Sequence, residues 1–341
     1  MLKSGIMLQK EVLGRAAQQP PVTLLGVPLA LGCSVAGVEL GPAVMRATGL
    51  KKGLARLGYA VEDGGDIGPA PEPGEDTTDA SDNVALKHGN SATEGRETAP
   101  VKMRHLAEIT QTCQALAERV AEVLGAGRMP IVLGGDHAIA IGSVSGIARH
   151  FRQTGEAWGL LWFDAHADMN TPETTPSGNI HGMPLASLLG YGTSGLTHLC
   201  GFAPKIVPEA CVHIGARDVD EGERRLIKQL GMRFITMREV DERGMSACMD
   251  EALALIKSRA EKFAVTFDID VLDPGDAPGS GTLVRGGLTY REAHLAMERI
   301  AEADGLSALE VVEINTVLDI NNRTAQLGVE LILSALGKTI L

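Results

Sequence analysis

From Val22 onward, short runs of β-branched and aromatic residues alternate with longer stretches of helical period. That alternation confines the chain to a mainly parallel sheet covered by helices. Residues 22–27, 59–62, 129–133, 159–163, 211–214, 234–235, 263–267 and 308–314 read as strands. Between the first two, a glycine-rich loop should lead into a helix over about 43–57. From Leu106, apolar residues recur at Ile109, Cys113, Leu116, Val120 and Val123, one face of a helix lying on the sheet. The expected architecture is a three-layer α/β/α sandwich. No internal repeat or clear boundary interrupts the pattern, so residues 21–341 should form one domain. Residues 1–20 read as an N-terminal extension, too briefly apolar for a secretory signal. Residues 69–100 are rich in proline, glycine, acidic and small polar residues, the composition of a surface excursion.

Composition removes several classes of function. Hydrophobic residues make up 44% of the chain, enough for a large core. Aromatics are only 3%, too few for stacking platforms, and the net charge of −12 repels phosphate backbones, so no nucleic-acid partner is expected. No window reaches the length of a membrane span. Cys33, Cys113, Cys200, Cys211 and Cys248 are odd in number and lack metal-knuckle spacing. They read as reduced thiols of a cytoplasmic protein.

Two short bursts of metal-binding side chains stand at the ends of apolar runs. Asp164, His166 and Asp168 lie in WFDAHADMN, and Asp268 and Asp270 in VTFDIDVLDP. At a spacing of i, i+2, an extended chain points such residues the same way. Buried carboxylates flanking an imidazole are costly unless a cation compensates them. His137, in LGGDHAIAIGS, follows a strand and precedes a helix. At such a carboxyl end it reads either as a further ligand or as a bystander to a capping Asp136. Asp273 precedes Pro274, where a turn role and a metal role are both open. Four carboxylates and two histidines suit two divalent cations better than one. The donor set fits Mn²⁺, with Fe²⁺, Co²⁺, Ni²⁺ or Zn²⁺ as alternatives. Two such ions turn water into hydroxide near neutral pH, which points to hydrolysis of an inert bond.

Longer motifs extend this reading. GGDHAIAIGS (134–143), DAHADMNTPETTPSGNIHGMP (164–184), IGARDVDEGE (214–223), FDIDVLDPGDAPGSGT (267–282), GGLTYREAH (286–294) and VVEINTVLDINNRTA (311–325) occur in that order. Together they resemble the ureohydrolases, and among them the bacterial-type arginases. The resemblance implies an arginase/deacetylase-like fold and cleavage of L-arginine to L-ornithine and urea by a hydroxide bridging two Mn²⁺. Asp164 and Asp268 would bridge both ions, His137 and Asp168 would complete one shell, and His166 and Asp270 the other. Asp168 would also accept a hydrogen bond from the hydroxide. His181 matches the family's proton-shuttling histidine. Glu313 matches the carboxylate that grips the guanidinium, with Thr282 nearby. The resemblance also implies a homotrimer or homohexamer.

Physical chemistry supports these roles separately. A carboxylate can pair bidentately with a planar guanidinium, and an imidazole can protonate a departing amine. Arginine differs from agmatine by its α-carboxylate, so the loops that meet that group decide the substrate. Asn170, Thr175, Ser177 and Asn179 supply neutral donors for a carboxylate, while Asp220 and Glu223 supply anionic partners for an α-ammonium. The same loop composition also occurs in ordinary turns. The arginases hold the amino-acid end with residues matching Asn170, Ser177 and Asp220. Thr316, Leu283, Val271 and Glu221 depart from residues common in the family, and none is an expected ligand. The rival expectations are a ureohydrolase acting on agmatine or guanidinobutyrate, and a non-catalytic sensor of arginine or ornithine.

Overall fold

The computed structural model describes residues 20–68 and 103–339. The excursion expected at 69–100, and the extension at 1–20 apart from its last residue, lie outside the described residues. Eight strands pair in parallel throughout: β1 (Val22–Val27), β2 (Val61–Asp66), β3 (Met129–Gly134), β4 (Trp158–Phe163), β5 (Cys211–Ala216), β6 (Arg233–Thr236), β7 (Lys262–Asp268) and β8 (Leu306–Val312). Their order across the sheet is β2-β1-β3-β8-β7-β4-β5-β6. Leaving β3, the chain skips two places before laying down β4, and β7 and β8 later fill the gap. Ligand sites in open parallel sheets form beyond the carboxyl ends of strands at such a change of direction.

Helices cover both faces. Side chains alternate along each strand, so Leu161 and Phe163 face one core while Leu160 and Trp162 face the other. The first core packs beneath α1 (Gly41–Ala47), α2 (Leu50–Arg56), α8 (Met237–Arg243), α9 (Met245–Lys257), α10 (Tyr290–Glu302) and α11 (Arg323–Ala335). The second packs beneath α3 (Leu106–Gly125), α4 (Ala140–Thr154), α5 (Pro184–Leu188), α6 (Ser194–Thr197) and α7 (Glu221–Leu230). Phe163 and Phe267 meet on adjacent strands with ring centroids 5.3 Å apart. Each fully buried side chain of this kind contributes about 1.5–3 kcal/mol. The three-layer sandwich expected from the alternation is the observed fold.

Two local expectations are corrected. The helix expected over 43–57 is broken into α1 and α2, because Gly49 sits at φ 95° and interrupts the helical backbone. The strand expected at 59–62 runs instead over Val61–Asp66, with a largely exposed pattern. It lies at the sheet edge, where polar residues suit one solvated side.

At the other edge, Arg233 of β6 reaches Glu239 on α8 and Glu251 on α9, each at 2.6 Å. The hydrogen bond from Arg233, opposed by partial burial and reinforced by Arg243, holds the Glu251 carboxyl down to about 2. A depressed folded-state value gives stability that is complete above the ordinary carboxyl range and lost as pH falls towards 2. Glu251→Gln should therefore flatten the loss of thermal stability between about pH 4.5 and 2 relative to the parent chain. Parallel acid limbs in thermal melts of the two proteins would refute this.

Candidate functional site

Loops leaving β3, β4, β5, β7 and β8, five consecutive strands of the sheet, meet at one end. After β3, Gly135 runs against the first loop so closely that a Cβ there would collide with the Leu29 carbonyl oxygen. Asp136 then caps the turn His137–Ile139, accepting from the Ala138 amide at 3.0 Å and from the Gly32 amide at 2.8 Å. Gly32 in turn accepts from the His181 amide at 3.1 Å. The capping role expected for Asp136 is real, and it also places His137 at the mouth of the strand.

The two bursts share one local device. Asp164 Oδ1 accepts from the amide of His166, and Asp268 Oδ1 from that of Asp270, both at 2.8 Å. The side chains converge because each leading aspartate folds its loop back, not because the chain runs on extended. Asp268 is followed at once by the turn Ile269–Val271, and Asp168 sits at φ 54°. The i, i+2 spacing was informative, but the geometry behind it is a side-chain-closed turn.

Six expected ligands come together. His137 Nδ1 lies 3.2 Å from Asp164 Oδ2, 3.0 Å from Asp168 Oδ2 and 3.2 Å from Asp268 Oδ2. His166 Nδ1 lies 3.0 Å from Asp270 Oδ2 and 3.5 Å from Asp164 Oδ1. His137, Asp164 and Asp268 form one group able to hold a metal ion, and Asp164, His166 and Asp270 form a second. Asp164 belongs to both. His137 Nδ1 and Asp168 Oδ2 are buried yet make no hydrogen bond, despite their short separation. Donor atoms that crowd one point without bonding each other suit a cation between them.

The electrostatics carry the same signature. Burial, with the charge of Asp164, pushes Asp168 up to about 8. Burial and the charges of Asp270 and Asp164 push Asp268 well above its usual range. Burial alone would raise Asp164 too, but the neighbouring His137 and His166 hold it well below. Four carboxylates cannot all stay ionised here on two imidazoles; two divalent cations would balance them.

Beside this cluster His181 Nδ1 meets Glu313 Oε1 at 3.2 Å, and the same oxygen accepts from the His137 amide at 2.9 Å. Glu313 is almost wholly buried, at φ 62°. Burial would raise it, but His181 and the His137 amide keep it low. His181 is pushed up to about 9: burial opposes this, and the hydrogen bond and charge of Glu313 prevail. The pair is therefore imidazolium and carboxylate at neutral pH.

A cavity of about 170 Å³ opens over these groups. His137, His166, Asp168, Asn170, Thr175, Ser177, Asn179, His181, Asp220, Glu223, Asp268 and Thr282 line it, as does Asp218. Glu313 stands behind His181, not in the wall. Asn170 Nδ2 donates to Asp220 Oδ2 at 2.9 Å, and Thr282 Oγ1 to the ligand-group oxygen Asp270 Oδ2 at 3.0 Å. Ser177 Oγ accepts from the Asn179 amide at 3.2 Å, which leaves its hydrogen available. Asn179 Nδ2 donates one hydrogen to Ser34 Oγ at 2.8 Å, which leaves its second amide hydrogen free to donate, while Oδ1 is buried without a partner. Glu223 closes the capping box of α7 and accepts from the amides of Asp220 at 2.8 Å and Met169 at 2.9 Å. Both its oxygens thus tie the two rim loops together.

Sequence reasoning missed Asp218 and Arg217, although both lie inside a quoted motif. Arg217 donates to the carbonyls of Gly215, Val271, Asp270, Leu272 and Val284, clasping the Asp270 turn and the loop after Thr282 to the end of β5. Only the fold brings those carbonyls within reach of one guanidinium. The residues that depart from the family pattern are structurally mild. Val271 is buried against Gly215, Glu221 opens α7 where an acidic residue is favourable, and Leu283 and Thr316 lie outside the ligand groups.

Comparison with known proteins adds an independent finding. The profile of the Arginase family matches residues 20–337. The arginase of Bacillus caldovelox is 44% identical over 321 residues, covering 94% of this chain and 99% of that one. The arginase of Brevibacillus brevis is 42% identical over 320 residues, with the same two coverages. The crystal structure of native B. caldovelox arginase at pH 5.6 superposes with a TM-score of 0.83 at 44% identity, covering 95% of this chain and 100% of that one.

Proposed function

The chain belongs to the arginase family, and from that premise we propose that it cleaves L-arginine to L-ornithine and urea at a pair of divalent cations. It is a hydrolase of the ureohydrolase type. The single observation carrying the two-ion reading is Asp164, whose two oxygens face the two histidines of separate donor groups. Asp164 and Asp268 would bridge, with His137 and Asp168 on one ion and His166 and Asp270 on the other. The oxygen-rich set favours Mn²⁺, and Fe²⁺, Co²⁺, Ni²⁺ or Zn²⁺ would also be accepted. When bound, the pair supplies Lewis acidity and hydroxide at neutral pH.

The remaining work falls to the chain's own groups. His181, an imidazolium at the cavity wall, holds the proton that the departing amine must receive. Glu313, buried behind His181, keeps that imidazole charged and oriented, and its ionised carboxylate would favour a cationic guanidinium in the cavity beyond it. Asp168 would accept a hydrogen bond from the attacking hydroxide. Thr282 braces Asp270. Asn170, Ser177 and Asn179 would meet the α-carboxylate end of arginine, and Asp220 and Glu223 its α-ammonium. The exposed apolar residues Val317, Leu318 and Ile320 support assembly into a homotrimer or homohexamer. Among the described residues no helix is long and apolar enough to cross a membrane.

Ser177 gives the sharpest test of substrate. Its hydroxyl can donate to a carboxylate that agmatine lacks. Ser177→Ala should lower kcat/KM for arginine about tenfold, the worth of one charge-assisted hydrogen bond. Urea release from agmatine should change little. A parent chain that prefers agmatine, or a variant that loses both activities alike, would overturn the arginine assignment.

A further inference from the structure

Behind the ligand cluster lies a buried polar chain that the reaction described above does not use. Thr266 on β7 and Glu310 on β8 are register partners on neighbouring strands, 1% and 3% exposed. Thr266 Oγ1 donates to Glu310 Oε1 at 2.8 Å and lies 3.0 Å from His137 Nε2. Along their strands, Ala264, Ala308 and Val312 face the same core. A carboxylate among such neighbours is expensive to bury, so packing alone would favour an aliphatic residue at Glu310.

The direction of the hydrogen bonds is fixed by the threonine's single hydrogen. A hydroxyl that donates to Glu310 can only accept from His137, so the imidazole carries its proton on Nε2. Nδ1 is then the bare nitrogen, and it is the atom that faces Asp164, Asp168 and Asp268. Trp162 reinforces the orientation, stacking on the imidazole with centroids 4.4 Å apart while its Nε1 donates to Asp164 Oδ2 at 3.1 Å.

We propose that Glu310, acting through Thr266, is a positioning residue that locks the tautomer and orientation of His137 and so sets the affinity of one of the two cations. This rests on the two-ion reading of the site. Partners behind a ligating histidine typically govern about 10- to 100-fold in metal affinity. The effect should be confined to the ion held by His137, because His166 has no part in the Thr266–Glu310 chain.

The test is a Mn²⁺ titration of the metal-free full chain, resolving two dissociation constants, for the parent and for Thr266→Val, Thr266→Ser and Glu310→Leu. Thr266→Val and Glu310→Leu should weaken one site about 10- to 100-fold and leave the other within about threefold. Thr266→Ser, which keeps the hydroxyl, should restore the parent constants. Unchanged constants in Thr266→Val, or equal weakening of both sites, would overturn the proposal. If Glu310→Leu fails to fold, the isosteric Thr266→Val and its serine counterpart decide alone. A parent chain that binds only one ion would instead refute the two-ion reading, before any variant is made.

Discussion

Asp164→Asn should leave a folded protein that retains less than one tightly bound divalent ion per chain and has lost arginine turnover by at least about 10³-fold. Asp164 is the residue shared by both donor groups, with Oδ2 beside His137 and Oδ1 beside His166. An amide offers one neutral oxygen where two anionic ones are needed, so neither shell survives intact. Losing the Lewis acidity and the hydroxide together removes several kcal/mol of transition-state stabilisation, and 10³-fold corresponds to about 4 kcal/mol. The fold should tolerate the change. The amide oxygen can still accept from the His166 amide and keep the turn closed, losing only the Trp162 Nε1 contact, and one of four crowded carboxylates has been neutralised. Elemental analysis after dialysis and a urea-release assay read the two effects. Two retained ions at parental affinity would contradict the shared-ligand assignment.

His181→Ala should separate chemistry from metal binding. Turnover should fall about 10²- to 10⁴-fold, the usual worth of a positioned general acid or base. Metal content should stay at the parental level, because His181 belongs to neither donor group. The imidazole meets Glu313 at 3.2 Å and lines the cavity, so its removal deletes a proton source without disturbing a ligand. Loss of both ions in this variant would show that His181 maintains the cluster and would contradict its role as proton donor.

Much of the fold was legible because it follows from local periodicity. Near-continuous apolar runs such as 159–163 and 263–267 can only be strands covered on both faces. The helix from Leu106 likewise shows its buried face in its spacing. The break at Gly49 was harder to read, since a lone glycine in a helical pattern is compatible with either outcome until the backbone adopts a positive φ. The ligands were legible as residue types. The geometry behind their convergence is not legible, because an aspartate that closes its own turn looks the same in sequence as one on an extended strand.

What sequence could not reach were roles set by long-range neighbours. Arg217 finds carbonyls from residues 270–284, and Glu310 meets His137 only through a threonine on the neighbouring strand. Asn179 spends one amide hydrogen on Ser34, which is remote in sequence. Each case depends on strand order, which the alternation of helices and strands leaves open.

The most direct test of arginine hydrolysis at a cation pair is a metal-activation curve with two substrates. Chelator-treated protein would be titrated with Mn²⁺ while urea and amine products are followed from L-arginine and, in parallel, from agmatine. The account predicts no turnover without metal, full activity only near two ions per chain, equimolar ornithine and urea from arginine, and a clear preference for arginine. Full activity at one ion per chain, or a preference for agmatine, would contradict it.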